Sequence, residues 1–583
     1  EPNQLKQLIL EQTRKNSTEL RDYGLALRNL INYQPANGQR VPALRNRVTE
    51  ASQVQDDKEF SNINLGRLER FVKSRLANER VYAAKMLRKA TNDTNVDMLL
   101  MLMRDKNDDV KSVAIHTARK VQHPATWSLL LDELAHYHHR NEAAAALIEA
   151  GDAVVDMLEI HFHRVNQLQQ VQLTIIQIFG KIGTTKATDM LWRKIDFPDK
   201  NIIEQTLVAL SYCNFVAKGV KARVVTHLLE AEIGHTSWNQ AALEEVAPLP
   251  INEPLQVALR EELSYNFDRI FRLLSLIYDP QSIGLVRENV ESDTSEGKVY
   301  AVELMDVFIS KNLKSILFPL LEEVSVSERI NALQAYFPRK KYDSNEILEQ
   351  IINADFNHLN RWTKSCALYA SAFNVNAQVS KNLMAQLFNP DKLICETAAF
   401  AIRRKDKVTY AQVSNRLNEY TKRNLDRIFE PIVLEKNKEY QGAKIISQVE
   451  KVLFLKQIKD FEDIPGLILA ETMEYLKTLK LRSGEQIRMD SETNYALYVI
   501  AKGEIMLLGK EEEVYVVREN EIFGDFITQN TNISIEYIRA TQDTIIYTLS
   551  KEHIFALIAK YQQLAKDFIQ ISQNRTLSSH LFQ

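Results

Sequence analysis

The run AHYHHR, which contains His136, His138 and His139, is the part of this 583-residue sequence that most directly suggests chemistry at a site. His136 and His139 would share one face of a helix, with Asp132 one turn earlier, and imidazole and carboxylate groups are common zinc ligands. The spacing matches no zinc motif. A solvated end of a helix explains the run better, and no metal site is predicted.

Two basic clusters, Arg339-Lys340-Lys341 and Arg403-Arg404-Lys405, have the composition of phosphate-binding surfaces. Each lies at the predicted end of a helix, where cations interact favourably with the helix dipole. The formal net charge of −3 does not favour binding of nucleic acid through bulk charge. A nucleic-acid-binding helical protein is therefore an alternative function, and no nucleic-acid partner is expected.

Catalytic motifs are absent from the sequence: it has no nucleophile–base set, no glycine-rich phosphate loop and no metalloprotease motif. We therefore predict no enzymatic activity and no cofactor. The three cysteines, Cys213, Cys366 and Cys395, each lie in an apolar helical pattern. Such a sparse, odd set predicts buried thiols in a reducing compartment.

The elements that would carry these residues are helical hairpins, and residues 99–121 give the clearest example. Leu99 and Leu102 share an apolar stripe on one short helix, a polar turn follows, and Val110, Ala114 and Val121 lie at helical spacing on a second. Such a hairpin buries little by itself, so it needs neighbouring copies.

The unit recurs along the chain. In its second helix a small residue precedes an apolar one, and the first members of these pairs are Ala83, Ser112, Ala145, Thr174, Thr206, Ala301, Ala332, Ser365 and Ala398. They are 29 to 33 residues apart except for one interval of 95, which is about three periods. Small residues allow two helices to approach closely. The period, and the polar turn before each second helix, resemble short HEAT-type α-repeats.

Breaks in this pattern divide the chain. At the N-terminus, one helix is predicted over residues 5–31. Further along, Pro248, Pro250 and Pro254 exclude a continuous helix and so separate two blocks of repeats. Gly151, Gly180 and Gly183 are predicted to end helices. After residue 449 short helices lead into two-residue alternation, with strands predicted in YALYVIA, GEIMLLG, EVYVVRE, EYIRATQ and DTIIYTL, and a closing helix over residues 551–572.

The C-terminal segments RSGEQI (482–487), YVIAKGEI (498–505), Phe523-Gly524-Asp525 and Arg539-Ala540-Thr541 resemble the β-roll of cyclic-nucleotide-binding domains over about the last 130 residues. In that family a Gly-Glu pair and a later Arg hold the ribose and the cyclic phosphate. The resemblance places the ligand-binding residues here at Gly524, Asp525 and Ser534. Asp525 replaces the Glu, and the position of the Arg falls near Ile533 or Ser534, so a phosphate would meet no fixed cation there. The resemblance thus implies a degenerate roll kept for docking, with cyclic-nucleotide sensing as an alternative.

The whole arrangement resembles the soluble region of bacterial nucleotide-translocase-like proteins of the ADP/ATP carrier type, related to the major facilitators. There, HEAT-type repeats with an A-x-E-L-x-D-like segment, comparable to AVELMD at 301–306, lead into a cyclic-nucleotide-binding-like domain. The resemblance implies a covalent or physical link to a membrane transporter. It would also account for a sequence that starts with Glu1 instead of Met. The location implied by the resemblance is cytoplasmic and membrane-associated.

The sequence therefore predicts a mostly α fold: a HEAT-like α-solenoid with a small C-terminal β-roll. The predicted divisions are an N-terminal helical cap or connector (1–60), two blocks of repeats (61–246 and 247–435) and a cyclic-nucleotide-binding-like domain (449–583). The predicted function is a non-enzymatic scaffold or regulatory module with a protein partner. Self-association is left open.

Overall fold

A computed structural model describes residues 65–89, 93–249, 251–292, 294–374, 378–429, 447–489, 496–509, 514–524, 535–550, 553–554 and 557. The described chain falls into two compact units: a first unit of residues 65–234 and 266–323, and a second unit of residues 235–265 and 324–557. The predicted helix over residues 5–31 and most of the predicted closing helix lie outside the described residues. No helix among the described residues is long and apolar enough to cross a membrane.

The described residues of the first unit form helices joined by turns. These helices are α1 (Leu65–Val72), α2 (Ala77–Met86), α3 (Asp93–Met103), α4 (Asp108–Val121), α5 (Trp127–Glu133), α6 (Tyr137–Ala150), α7 (Val155–Phe162), α8 (Gln169–Ile182), α9 (Thr185–Trp192), α10 (Lys200–Tyr212), α11 (Val220–Glu245), α12 (Glu253–Ser275), α13 (Pro280–Glu291), α14 (Ser295–Phe308) and α15 (Lys311–Leu321). The division between the two units falls within α11 and α12.

The hairpin predicted at residues 99–121 forms as α3 and α4. The side chain of Asn107 caps α4 by accepting a hydrogen bond from the backbone N–H of Val110 at 3.1 Å. Acidic residues occupy the first turn of α4 and basic residues its last, which suits the helix dipole at both ends. Val110, Ala114 and Ile115 are buried, so the apolar face of the helix lies in the core.

Successive second helices pack on one another: α2 on α4, α4 on α6, α6 on α8 and α8 on α10. The first five small–apolar pairs lie on these helices. The Thr117 hydroxyl of α4 donates to the Ala84 carbonyl of α2 at 2.8 Å, and a Cβ placed on Gly180 would lie 2.8 Å from the Cβ of Ala209. The predicted helix end at Gly180 is therefore wrong, because this glycine lies inside α8 where α10 approaches. Gly151 and Gly183 do end helices, both with positive φ.

Ion pairs link helix pairs of the first unit to the next pair along the chain. They join Arg80 to Asp105 (2.6 Å), Arg164 to Asp132 (3.0 Å), Lys186 to Asp156 (2.8 Å) and Lys221 to Asp189 (3.1 Å). The partners are 25 to 32 residues apart in sequence. Surface pairs of this kind contribute about 0–1 kcal/mol each, so they specify the alignment of the helix pairs more than their stability.

The second unit contains the remaining helices and all the described strands. Its further helices are α16 (Val326–Leu333), α17 (Ser344–Asn353), α18 (Arg361–Phe373), α19 (Lys381–Gln386), α20 (Lys392–Lys405), α21 (Lys407–Ser414), α22 (Glu419–Ile428), α23 (Gln448–Lys456) and α24 (Gly466–Thr472). The predicted interruption in the proline-rich stretch is confirmed, because α11 ends at Glu245 and α12 begins at Glu253.

The strands form two four-stranded antiparallel sheets. They are β1 (Lys477–Leu481), β2 (Gln486–Arg488), β3 (Ala496–Lys502), β4 (Glu504–Gly509), β5 (Val514–Arg518), β6 (Ile522–Phe523), β7 (Ile535–Ala540) and β8 (Thr544–Ser550). The first sheet has the order β1-β8-β3-β6 and the second β2-β7-β4-β5. We refer to residues 477–550 as the roll. The five predicted strands correspond to β3, β4, β5, β7 and β8, whereas β1, β2 and β6 were not predicted.

Candidate functional site: the roll and its junction with the helices

Gly524 is the one residue of the predicted ligand site that the structure describes. It directly follows β6 with φ +112°, and a Cβ there would overlap the Ala496 carbonyl oxygen and lie 3.1 Å from Cδ2 of Tyr498. The rings of Tyr498 and Phe523 stack beside it, with centroids 4.6 Å apart. Only glycine fits this conformation and this space. Asp525 and Ser534 lie outside the described residues, so the arrangement of the three stays a prediction.

The interior of the roll is filled by apolar side chains. They are Leu481, Met489, Ala496, Tyr498, Ile500, Ile505, Leu507, Val517, Phe523, Ile538, Ala540 and Ile546. The arginines on β2, β5 and β7 (Arg488, Arg518 and Arg539) are exposed instead. None of these three arginines is therefore buried in the interior, and an anion placed there would lose its hydration without pairing with any of them.

The first sheet is buried on its outer face as well. Leu497 and Val499 of β3, with Tyr547 and Leu549 of β8, belong to one hydrophobic core with residues of α18, α20, α23 and α24. Successive side chains of a strand point to opposite faces. The residues that alternate with these, such as Tyr498 of β3 and Ile546 of β8, therefore face the interior of the roll. We call this contact between the outer face of β3 and β8 and the helices the junction. It attaches the roll to the helices of the second unit.

Tyr547 is the central aromatic residue of the junction. The ring of Phe454 on α23 meets it edge to face at a centroid distance of 6.0 Å, and the Lys451 ammonium lies 5.2 Å from its centroid. Lys451 also donates to the Thr478 hydroxyl at 3.3 Å. Burial lowers the pKa of Lys451 and raises the pKa of Tyr547. Both groups are therefore held in an apolar setting.

Glu396 brings a carboxylate from α20 to the start of α23. It accepts hydrogen bonds from the backbone N–H of Gln448 at 3.2 Å and from the side-chain amide of Gln448 at 3.3 Å. Burial raises the pKa of Glu396, although Lys392 opposes the shift. The carboxylate thus positions α23, which in turn contacts the roll.

Replacing Glu396 by Gln is expected to stabilise the protein near neutral pH. Because the folded-state pKa of Glu396 is raised above its ordinary value of 4.5, folding favours the protonated form. The wild type therefore loses stability as pH rises from about 4.5 through the raised pKa, while Glu396→Gln does not. Thermal unfolding should give a higher midpoint for the variant at about pH 7.5 and equal midpoints at about pH 4. Glu462→Gln, at an exposed position, is the control, and a pH-independent difference would contradict the prediction.

A second set of contacts fixes α24 on the helices. Glu261 of α12 accepts a hydrogen bond from the backbone N–H of Gly466 at 2.8 Å and pairs with the Lys456 ammonium at 3.2 Å. A Cβ on Gly466 would overlap the indole of Trp362, which is buried on α18. The start of α24 is thus held by one carboxylate and by direct contact with an indole ring.

The histidine run lies at the start of α6. His136 Nδ1 is 3.3 Å from Glu133 Oε2, whereas His139 is buried with its Nε2 3.6 Å from Asp108 Oδ1. Burial lowers the pKa of His139. These side chains have different partners, and no group of three metal-binding side chains occurs among the described residues.

Both predicted basic clusters make contacts inside the second unit. Arg339 pairs with Glu245 at 2.8 Å, and Lys340 pairs with Glu346 at 2.8 Å. In the other cluster the guanidinium of Arg403 lies 4.3 Å from the centroid of Phe429, and that of Arg404 lies 4.1 Å from the centroid of Phe373. The Lys405 ammonium donates to the Asn374 carbonyl at 2.9 Å. These cations are used within the fold.

The cysteines are free thiols. Cys366 and Cys395 are buried as predicted, and Cys213 is partly exposed. Burial raises the pKa of Cys366 and raises that of Cys395 to about 11, so both thiols stay protonated and unreactive near neutral pH.

The sequence reasoning missed Glu261, Glu396 and Lys451, which hold the roll and its helices in place. The one signal available for Glu396 is a carboxylate inside the apolar run KLICETAAFAI. A charged residue at an apolar position of a helix usually has a partner from elsewhere in the chain. Here that partner is 52 residues away.

Comparison with known proteins gives partial matches. No family model matches the sequence, and no curated protein does. Among solved structures, it is similar to the sensor domain of the transcriptional regulator DNR from Pseudomonas aeruginosa, with 15% identity over 23% of this chain and 94% of that chain and a TM-score of 0.20. A cyclic nucleotide-binding domain from Methylobacillus flagellatus shows 17% identity over 22% of this chain and 78% of that chain (TM-score 0.19).

A third similar structure is the regulatory subunit of a cAMP-independent protein kinase A from Trypanosoma brucei. It shows 15% identity over 24% of this chain, with a TM-score of 0.19, and the match spans 56% of that chain. The matched structures thus include cyclic-nucleotide-binding domains, each over a part of this chain only.

Proposed function

We propose that the chain is a non-enzymatic interaction module, in which a HEAT-like α-solenoid presents a surface to a protein partner. In this proposal the roll is a docked structural domain. The observation that carries it is the junction, since the outer face of β3 and β8 shares one buried core with α18, α20, α23 and α24. The apolar interior of the described strands gives further support.

Regular contacts between helix pairs support the solenoid part of the proposal. The Arg119 guanidinium pairs with Glu149, 30 residues on; the Asn382 amide donates to Glu349, 33 residues back; and the Lys405 ammonium donates to the Asn374 carbonyl, 31 residues back. Repeats that contact mainly their neighbours build extended surfaces suited to protein partners.

Cross-linking tests the proposal. The full chain, tagged and at its native level, is captured from its host after cross-linking, and the linked peptides are identified. We expect a retained protein partner whose cross-links map to helical residues 65–428. Failure to retain any protein would contradict the proposal, and so would cross-links confined to residues 477–550. The tag on an unrelated chain is the control.

Cyclic-nucleotide sensing is the second candidate, and the geometry at Gly524 favours it. A glycine with positive φ directly after β6 stands at the position where the resemblance places the first residue of the ligand-binding pair. Calorimetry of the full chain with cyclic AMP, cyclic GMP and cyclic dinucleotides decides between the two. A docked roll predicts no binding heat for any of them, and a saturable heat would establish the sensor.

From the resemblance noted above we also infer that this chain is the cytoplasmic part of a larger bacterial transporter-like protein. The encoding frame upstream of Glu1 provides the test. Apolar runs of about twenty residues, each long enough to span a bilayer, would support the inference, and a frame without them would contradict it.

A further inference from the structure

Positive charge is concentrated on the first described helix pair of the first unit. Residues 65–88 contain seven Lys and Arg against two acidic residues, although the whole chain carries a net charge of −3. The ion pairs here are Lys73–Glu69 and Arg80–Asp105. Five further cations are exposed and have no acidic partner among the described residues: Arg67, Arg70, Arg75, Lys85 and Arg88. This surface therefore carries uncompensated charge.

An exposed aliphatic side chain lies directly after Arg75, one of these cations, and near the end of α1 that carries Arg70. Leu76, in the turn between α1 and α2, is 63% exposed and follows Lys73 and Arg75 closely in sequence. The turn between α7 and α8 repeats this combination, because Val165 (89% exposed) and Leu168 (57% exposed) follow Arg164. Burying these side chains would gain free energy, so their exposure next to cations suggests a partner that is both apolar and anionic.

The turns within successive helix pairs lie side by side. Arg80 donates to the Ser74 carbonyl in the first turn at 2.9 Å and pairs with Asp105 in the second. Lys111, at the start of α4, reaches Glu133 at 3.1 Å, beside the third turn. Arg164 in the fourth turn pairs with Asp132 at 3.0 Å. We call this row of turns, together with the last helical turn of α1, the turn edge; it comprises residues 70–76, 104–107, 134–136 and 163–168.

We propose that the turn edge binds the surface of a lipid bilayer with anionic headgroups. Each Lys or Arg near such a surface adds its own favourable electrostatic term to the free energy of binding. Aliphatic side chains insert at the boundary between the headgroups and the acyl chains. A row of turns suits an extended, flat partner. Nucleic acid would satisfy the cations but would leave Leu76, Val165 and Leu168 against a polar sugar–phosphate backbone, so the lipid surface is favoured. The proposal is independent of the solenoid's protein partner.

Vesicle binding tests the proposal. The full chain is mixed with vesicles of phosphatidylcholine alone and with vesicles that also contain phosphatidylserine, and the bound fraction is measured by flotation. We expect binding only to the anionic vesicles, weakening as salt is raised. Arg70→Gln with Arg75→Gln should reduce the partition coefficient about thirty-fold. Leu76→Ser with Val165→Ser should weaken binding while its dependence on salt stays the same.

Matched controls distinguish vesicle binding by the turn edge from a general effect of the protein's charge. Lys218→Gln with Arg223→Gln removes two exposed cations from another part of the first unit and should leave vesicle binding unchanged. All substituted side chains are exposed, and an unchanged thermal midpoint will show that the variants fold. The proposal fails if anionic vesicles do not bind, if both double cation variants bind equally, or if duplex DNA or RNA instead binds through Arg70 and Arg75. Partner capture by cross-linking does not depend on any of these results.

Discussion

Val499→Asp is expected to lower the free energy of unfolding of the second unit by about 3–5 kcal/mol and to loosen the roll from the helices. Val499 lies on the outer face of β3, is 2% exposed and is opposite Tyr547 of β8. A carboxylate at this position would lose its hydration among the apolar side chains of the junction core. Because whole domains are stable by only about 5–15 kcal/mol, the loss is a large fraction of the total.

Denaturant unfolding and limited proteolysis measure this effect. The variant should unfold at a lower denaturant concentration and should be cleaved between the helices and the roll under conditions where the wild type is intact. Val516→Asp is the matched control, because Val516 lies on the edge strand β5 and is 41% exposed. It should change stability by less than about 0.5 kcal/mol. Equal effects of the two substitutions would mean that the outer face of β3 is not packed against the helices.

The central strands of the roll could be predicted because their sequences alternate or are continuously apolar. The run ALYVIA in β3 even indicates burial on both faces, as is usual for strands covered on two sides. The strands that were missed lack this pattern. β1 is mostly exposed along its length, and β6 has two residues, so neither shows a period of two. Their pairing comes from β8 and β3, which lie elsewhere in the sequence.

The helical placement of the small–apolar pairs could also be predicted, and each pair falls on a helix. The structural role of an individual residue could not be predicted. Gly180 does not end a helix; glycine is needed there because Ala209, on the next helix pair, packs directly against it. From the sequence alone, the basic clusters have the composition of phosphate-binding sites. In the structure, Arg339 instead pairs with Glu245, which is 94 residues away in sequence. Long-range partners of this kind leave no local signal.

For the same reason, nothing in the sequence indicated a buried ion pair in the first unit. Arg269 on α12 is nearly buried and pairs with Glu232 of α11 at 3.1 Å and with Glu204 of α10 at 2.5 Å. Asn266 donates to the other oxygen of Glu232 at 2.6 Å. Burial would lower the pKa of Arg269, but the two carboxylates outweigh it and raise the pKa, so the guanidinium stays charged.

Arg269→Met is therefore expected to cost about 3–5 kcal/mol of unfolding free energy, because it leaves the carboxylate of Glu232, a residue that is 4% exposed, without its cation. Adding Glu232→Leu should recover much of the loss, since apolar residues can replace a buried ion pair with little penalty, whereas one buried charge left alone is strongly destabilising. Thermal and denaturant unfolding of the single and double variants measure both effects. Arg223→Met, at an exposed position on α11, is the control and should stay within about 0.5 kcal/mol of the wild type. If Arg269→Met unfolds like Arg223→Met, the pair does not hold α11 and α12 together, and the buried carboxylate is satisfied by other donors.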